Sequence, residues 1–424
     1  MTYALKKENV GNKIIITIEM EMTRSMLDNE NMIQDSLNEA GMGLTGFALK
    51  QFDTDGSPLK FANVRYTSKG LALKEYETPF GKIRIERHVY QTYEGGAIFC
   101  PLDYEARIIS STTPKFANIV SSKYAKMAIP SVKDDLENCS HRKVSIDYIS
   151  CISNSVAEII SEKKKIWVYD VDIAKKDVAS IALSLDGAFI NMKKEGWRQV
   201  MVGTVSLYDS KGERIYTSYT ASSPEFKKHS FFEQFSKEIK NIIKKYPDAK
   251  ITGIADGAKD NWTFLQKFTK DLCVDFYHVS EYIVKASNII YSKDEKAAEA
   301  WLKKTLHNLK HLNGYHKFIL SELKTFKLRK IKDKIRDEIE IIETYFINNG
   351  DKIIYAEHVE NNYAIGSGVV EAACKVVVKQ RLCCSGMRWT KDGSENILNL
   401  RSFLLTDGKW DQFWKKVDRY GIVA

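Results

Sequence analysis

SIALSLDGAFINMKKEGWRQVMVGTVSLYDSKGERIYTSYT, residues 180–220, holds three apolar runs separated by the polar turns KKEG and DSKG. The first run, residues 180–192, is apolar almost throughout and reads as a strand of buried type that continues past Asp186. WRQVMVGTVSLYD and ERIYTSYT read as a second and a third strand. Next comes FFEQFSKEIKNIIKKY, whose Phe231, Phe232, Phe235, Ile239, Ile242 and Ile243 fall on one helical face. KITGIAD reads as a fourth strand, residues from about Asn261 to Lys270 as a helix, and CVDFY as a fifth strand.

Three strands, a helix, a strand, a helix and a strand is the order of a ribonuclease-H-like core. In that core the first strand carries one acid, the end of the fourth another, and a late helix the third. Asp186 lies on the first strand and Asp256 ends the fourth. AIGSGVVEAACKVVVKQRLCCSGMRW, residues 364–389, supplies a helix starting near Gly368 that bears Glu371. Glu371, Lys375 and Lys379 recur every four residues, on one predicted stripe with Arg381 close by. Between the second and third acids, residues from about 281 to 349 are almost wholly helical in pattern. Ala298, Trp301, Leu302, Leu306 and Leu309 make one apolar stripe, and Leu323, Phe326, Ile331, Ile335, Ile339, Ile342 and Phe346 another. The expectation is an α/β multidomain protein whose mixed five-stranded sheet, with flanking helices, is interrupted by an all-α insertion.

Taken singly, each Asp-Gly reads as an ordinary turn and the Glu-Lys spacing as a solvated salt bridge. Their shared setting points elsewhere. Both aspartates follow apolar strands, where an unpaired carboxylate is costly unless it binds cations. Carboxylates of this kind hold two Mg²⁺ ions, or Mn²⁺ in their place, for in-line phosphodiester displacement. The expected assignment has Asp186 bridging both ions, Asp256 holding one and Glu371 the other. Gly187 and Gly257 would let a phosphate come close. Glycosidases also pair two acids, but need no cationic stripe beside a third. Lys375, Lys379, Arg381, Arg388 and Trp389 are therefore expected on DNA. Asp275 and His278, in DFYH, read as a hydrogen-bonded pair, a metal site or a substrate contact, with a structural role the plainer reading. Trp197, Trp262 and Tyr277 are expected to pack in the core, with stacking on unpaired bases as the alternative.

The rest of the chain suggests how DNA is met. Residues 1–105 form an expected α+β region: a strand at 13–20, a helix through Met26, Met32, Ile33, Leu37 and Ala40, and a hairpin over 67–95 turning at Pro79 to Gly81. Ile83 and Ile85 alternate there with Arg84, Glu86 and Arg87, giving either a DNA-contacting or a merely solvated outer face. Residues 106–175 read as helices at 116–128, 132–139 and 145–160, a helix-turn-helix or a helical linker, with Arg142 and Lys143 where an entering recognition helix meets phosphates. Residues 176–280 would be the first part of the core, 281–360 the insertion, and 361–424 the second part with the glutamate helix.

Composition fits a chain of this kind. Its 424 residues, 44% hydrophobic and 28% charged, suit several globular domains. The net charge of +9 allows a nucleic-acid partner without requiring one. Cys100, Cys139, Cys151, Cys273, Cys374, Cys383 and Cys384 make no CxxC pair, so neither a zinc ribbon nor a disulfide framework is expected, and the compartment reads as reducing. Residues 1–13 have no signal-peptide core and no apolar run reaches the roughly 18 residues of a membrane span. A cytoplasmic, nucleoid-associated protein with no membrane partner is expected.

LDGAF with the following Trp197, IADGAKDNW, DFYH, IGSGVVEAACK, RLCCSGMRW, LNLRS and GKWDQFW together resemble the ISKra-type bacterial insertion-sequence transposases, a group related to Mutator-like DDE transposases. The resemblance covers roughly residues 181–414. It implies a mobile-element enzyme that cuts double-stranded DNA at inverted-repeat ends and joins the freed 3′ ends to target DNA, with at least a dimer during reaction. It also implies that Asp186, Asp256 and Glu371 are the DDE acids and metal ligands, and that Asp275 and His278 form the group's acid-x-x-His feature near the site. One departure stands out. Members often carry a cysteine-rich, zinc-binding segment before the hairpin, whereas here only Cys100 follows it, so no structural zinc is expected. Two other classes stay open: a domesticated DNA-binding protein that no longer transposes, and a related metal-dependent nuclease that cuts without joining.

Overall fold

Residues 180–192 form the middle strand of a mixed five-stranded sheet in the computed structural model, which describes residues 3–11, 13–225, 228–329 and 331–422. Residues 1, 2 and 12 of the stretch read as lacking a signal peptide lie outside the described residues. The chain separates into two units, residues 1–167 with 410–424, and residues 168–409.

The first unit opens with the antiparallel pair β1 (Tyr3–Val10) and β2 (Lys13–Met20) and the long helix α1 (Met26–Lys50). Only β2 was expected, because the lysines and glutamate of β1 hide its alternation. An antiparallel four-stranded sheet follows, in the order β3 (Leu59–Phe61), β4 (Val64–Glu77), β5 (Lys82–Thr92) and β6 (Gly95–Phe99). The expected hairpin turns where the sequence places it, with Glu77 opposite Lys82. Ile83 and Ile85 are buried and Arg84 is exposed against Glu75. Arg87, however, shares the parity of Ile83 and Ile85 and so faces inward, where it pairs with Asp103 at 3.4 Å. The short α2 (Pro101–Glu105) leads to α3 (Pro114–Lys126), α4 (Ile129–Ser140) and α5 (Ile146–Lys163), the three helices expected in this region. Ser145 caps α5 by accepting the Tyr148 N–H.

In the second unit β7 (Ser180–Met192), β8 (Gly196–Tyr208) and β9 (Arg214–Ser222) form an antiparallel meander. Helix α6 (His229–Lys245) leads to β10 (Lys250–Ala255), parallel to β7, and α7 (Lys259–Leu265) leads to β11 (Leu272–Val274), parallel to β10. The sheet order is β11-β10-β7-β8-β9. β11 stops before the expected DFY, because Asp275 caps α8 (Phe276–Ile290). The helical stretch continues as α9 (Glu295–His311), α10 (Tyr315–Lys327), α11 (Asp333–Asn349) and α12 (Tyr355–Glu360). Its buried Leu309, Ile319, Leu323, Ile339, Ile342 and Phe346 join the same core as the sheet, so the insertion is not a separate body. After it come α13 (Gly368–Ala373), a π-helical turn over Cys374–Lys379, the single turn α14 (Gln380–Leu382), and α15 (Lys391–Leu405). The last helix, α16 (Lys409–Tyr420), belongs from Trp410 onward to the first unit, where the Trp410 indole N–H donates to Asn118 Oδ1 at 3.0 Å. The expected domain 361–424 is therefore divided near residue 410.

Two contacts test this packing. A Cβ on Gly203 of β8 would lie 2.8 Å from ring carbons of the buried Phe235 on α6. Gly203→Ala should cost about 1–3 kcal/mol, read as a lowered urea midpoint, since the ring has no slack to move. An unchanged midpoint would mean that α6 is free to shift on the sheet. Asp271, ahead of β11, lies 2.7 Å from Lys250 Nζ and 3.2 Å from His358 Nε2, tying α12 to the strand edge. Burial works against its charge, but the hydrogen bonds from His358 and Lys250 prevail and hold the carboxyl below its ordinary 3.8. A lowered value stabilises the fold above the ordinary pKa, and that contribution is lost as pH falls through the lowered one. The stability gap between wild type and Asp271→Asn should thus be flat from about pH 7 to 5 and shrink below about pH 4. A gap that stays constant in acid would show that the carboxylate charge contributes nothing.

Candidate active site

Asp186 and Asp256 meet because β7 and β10 run parallel side by side. Ser184 pairs with Ile254, and continuing that register by two residues sets Asp186 opposite Asp256. Asp186 is half-buried. Its Oδ1 accepts the Gly187 N–H at 2.6 Å and its Oδ2 accepts the Cys374 thiol at 3.6 Å. Burial, and then the Asp256 charge, push the Asp186 carboxyl above its ordinary value, against the pull of Gly187, Cys374 and His278. Asp256 Oδ1 accepts the Ala258 N–H at 3.1 Å and the Asn261 amide at 3.2 Å. Gly257 turns the chain there with φ of +108°, a conformation suited to glycine.

Glu371 comes from α13, which packs on β7 and β8. The Ser367 hydroxyl, one turn earlier, donates to Glu371 Oε1 at 3.0 Å. The Ser367 N–H in turn donates to Asp275 Oδ1 at 3.0 Å. Asp275 is 1% exposed and also accepts the N–H groups of Tyr277 and His278 at the start of α8. The DFYH spacing is thus a helix cap: Asp275 bonds the backbone of His278, not its imidazole, and its remaining capacity fixes the start of the glutamate helix.

The expected stripe is altered by the π turn, whose wider winding breaks four-residue periodicity. Glu371, Lys375 and Lys379 are all exposed nonetheless. The turn's carbonyls are met by Arg401 of α15, whose Nε donates to Val377 O at 2.7 Å and whose Nη2 donates to Val376 O. Burial holds the Arg401 guanidinium down at about 10. Nothing local in LNLRS announces this role.

Two clefts meet at Asp186 and Gly187. One, of about 630 Å³, is lined by Glu371, Cys374, Lys375 and Lys379. The other, of about 340 Å³, is lined by Asp256, Gln199, Lys228 and Lys259. The lysines of the second cleft went unnoticed because they belong to no periodic stripe.

Several expected DNA contacts sit elsewhere. Arg381 is 2% exposed, with its guanidinium 5.4 Å over the Trp389 ring and its Nη1 3.6 Å from Met387 Sδ. The π turn carries it inward, so it braces the protein and is not offered to phosphates. Trp389 is a strut: its indole N–H donates to Leu382 O at 2.9 Å, and its backbone exchanges hydrogen bonds with Asn191 and Lys193 at the end of β7. Arg142 is 6% exposed, donates to Thr78 O at 3.1 Å, pairs with Glu77 and covers the Phe116 ring. It holds the hairpin to the helices instead of reaching DNA. Lys143 is exposed, but Glu137 lies 3.7 Å away and Glu75 and Glu77 share its cleft. Arg388 remains exposed. Trp262 is in the core as expected, whereas Trp197 and Tyr277 are exposed, against expectation.

Among the described residues no three His, Cys, Asp or Glu side chains form a ready-made metal cluster. No family model and no curated protein matches this chain.

Proposed function

We propose that this chain is a DDE transposase of the ISKra-type insertion-sequence group, built on a ribonuclease-H-like core, that cuts double-stranded DNA at element ends and joins them to a target. The observation that carries the reading is Asp186, flanked by Asp256 in one lysine-bearing cleft and by Glu371 in the other. Strand order β11-β10-β7-β8-β9, with only β8 reversed among the central three, supports the fold assignment.

The donor set fits divalent magnesium. All three acids offer hard oxygens, and a carboxyl desolvated beside a second carboxylate is relieved by a cation between them. Asp186, Asp256 and Glu371 would hold two Mg²⁺ ions, with Mn²⁺ as a substitute, which when bound supply nucleophile activation and charge neutralisation at the leaving oxygen. The chain's own residues do the rest. Ser367 keeps Glu371 aimed at the cleft, and Lys375 and Lys379 offset phosphate charge. Bringing two DNA ends together calls for a homodimer or larger assembly, in the cytoplasm where the nucleoid lies.

The test is strand transfer by the purified protein on DNA ends flanking its own gene, with Mg²⁺ or with chelator. Joined products in Mg²⁺ alone support the reading. Cleavage without joining favours a nuclease, and binding with neither favours a domesticated DNA-binding protein.

A further inference from the structure

The sheet has two faces, and alternation along β7 puts Asp186 on the one opposite to its neighbour Gly187. Register places Phe189 opposite Gln199 and Asn191 opposite Trp197, so Phe189, Trp197 and Gln199 share the face that also carries Gly187. At this end of the β7–β8 hairpin the two rings are bare, Phe189 at 56% and Trp197 at 60% exposure. Rings this exposed leave most of their surface open to solvent. The Gln199 side chain lies directly against Gly187, where an added Cβ would sit 2.1 Å from its Nε2. From Gln199 the surface runs into the 340 Å³ cleft with Lys228 and Lys259, which opens on Asp186 and Asp256. An adjoining cleft of about 370 Å³ shares Gln199 and Lys228.

Cations that track a backbone, followed by open rings on which bases stack, are the two parts of a single-strand binding surface. We propose that Lys259, Lys228, Gln199, Phe189 and Trp197 form a path for one unpaired DNA strand leaving the acids, on the opposite side of Asp186 from Lys375 and Lys379. The inference rests on the proposed function for its substrate. The lysines take phosphates, Gln199 hydrogen-bonds a base edge, and the two rings hold the next bases by their faces. Duplex DNA does not fit this description, since its bases are already stacked on one another. Strand separation at a cut end would therefore be captured here.

The experiment compares a fluorescent duplex of the element end, blunt, with the same duplex forked by about ten unpaired nucleotides on each strand, using the full chain in metal-free buffer. Wild type should hold the fork more tightly than the blunt duplex. Phe189→Ala and Trp197→Ala should each weaken fork binding about ten-fold, while Trp197→Phe retains it. Lys228→Ala with Lys259→Ala should lower the salt dependence of fork binding by about 1.4, from two lost phosphates at roughly 0.7 each. Blunt-duplex affinity should stay at the wild-type value in Phe189→Ala and Trp197→Ala. Equal wild-type affinity for fork and blunt duplex, or fork binding by Trp197→Ala equal to that of Trp197→Phe, would overturn the path. Fork-selective binding without any Mg²⁺-dependent cutting or joining would instead uphold the path and sink the transposase reading.

Discussion

Asp186→Asn should abolish Mg²⁺-dependent cutting and joining while leaving the protein folded and able to bind DNA. The side chain keeps its shape, and its carbonyl oxygen can still accept the Gly187 N–H. What disappears is the charge. Removing even a residue that merely supports a metal ligand costs about 10- to 100-fold, so losing the carboxylate shared by both clefts should cost at least about 100-fold. Stability should move the other way. Burial and Asp256 both disfavour the ionised Asp186 carboxyl, so the wild type carries a cost at neutral pH that the amide removes. The paired measurement is strand transfer and a urea midpoint on the same preparation. Lost activity with an equal or higher midpoint is expected, and lost activity with a much lower midpoint would make Asp186 a structural residue.

Asp275→Ala should destabilise the second unit by roughly 3–5 kcal/mol. Three backbone N–H groups, those of Ser367, Tyr277 and His278, lose their acceptor at once. The buried Ser367 donor left unpaired costs about 1–3 kcal/mol, and the lost cap on Tyr277 and His278 about 1–2. Ser367→Ala separates this clamp from its purpose. It leaves the Ser367 N–H on Asp275 and removes only the hydroxyl that holds Glu371. Stability should change by less than about 1 kcal/mol, while the Mg²⁺ concentration for half-maximal strand transfer should rise about 10- to 100-fold. A Mg²⁺ titration superimposable on that of the wild type would show that the hydroxyl does not position Glu371.

The central strands, and with them the meeting of Asp186 and Asp256, were legible in the sequence because burial dictates apolar runs. A run as apolar as residues 180–192 leaves few alternatives to a central strand, and an aspartate inside such a run draws notice. The order of elements followed directly. Long-range partners left no local trace. Arg142 and Arg381 look cationic and available until Glu77, Phe116 and Trp389 are brought beside them by the fold. Arg87 was misplaced through its strand parity, which the isoleucines on either side of Arg84 already set. Trp197 was expected inside on residue type alone, although its place next to the KKEG turn favours an edge. Helix α16 has a clear apolar face, but a face does not name its partner, and that partner lies in the first unit.

The π turn between Glu371 and α14 gives the helix two independent moorings. Glu371 is anchored through Ser367 to Asp275, whereas the turn itself is anchored by Arg401. One residue of helix corresponds to about 100° of rotation, so a single residue inserted or deleted between Glu371 and Val376 would put the two moorings about 100° out of step, and only one of them could keep its partner. The length of this segment matters as well as its side chains. The spacing from Ser367 to the carbonyls of Val376 and Val377 acts as a ruler, so the geometry of the site is stored in a count of residues as well as in their identities.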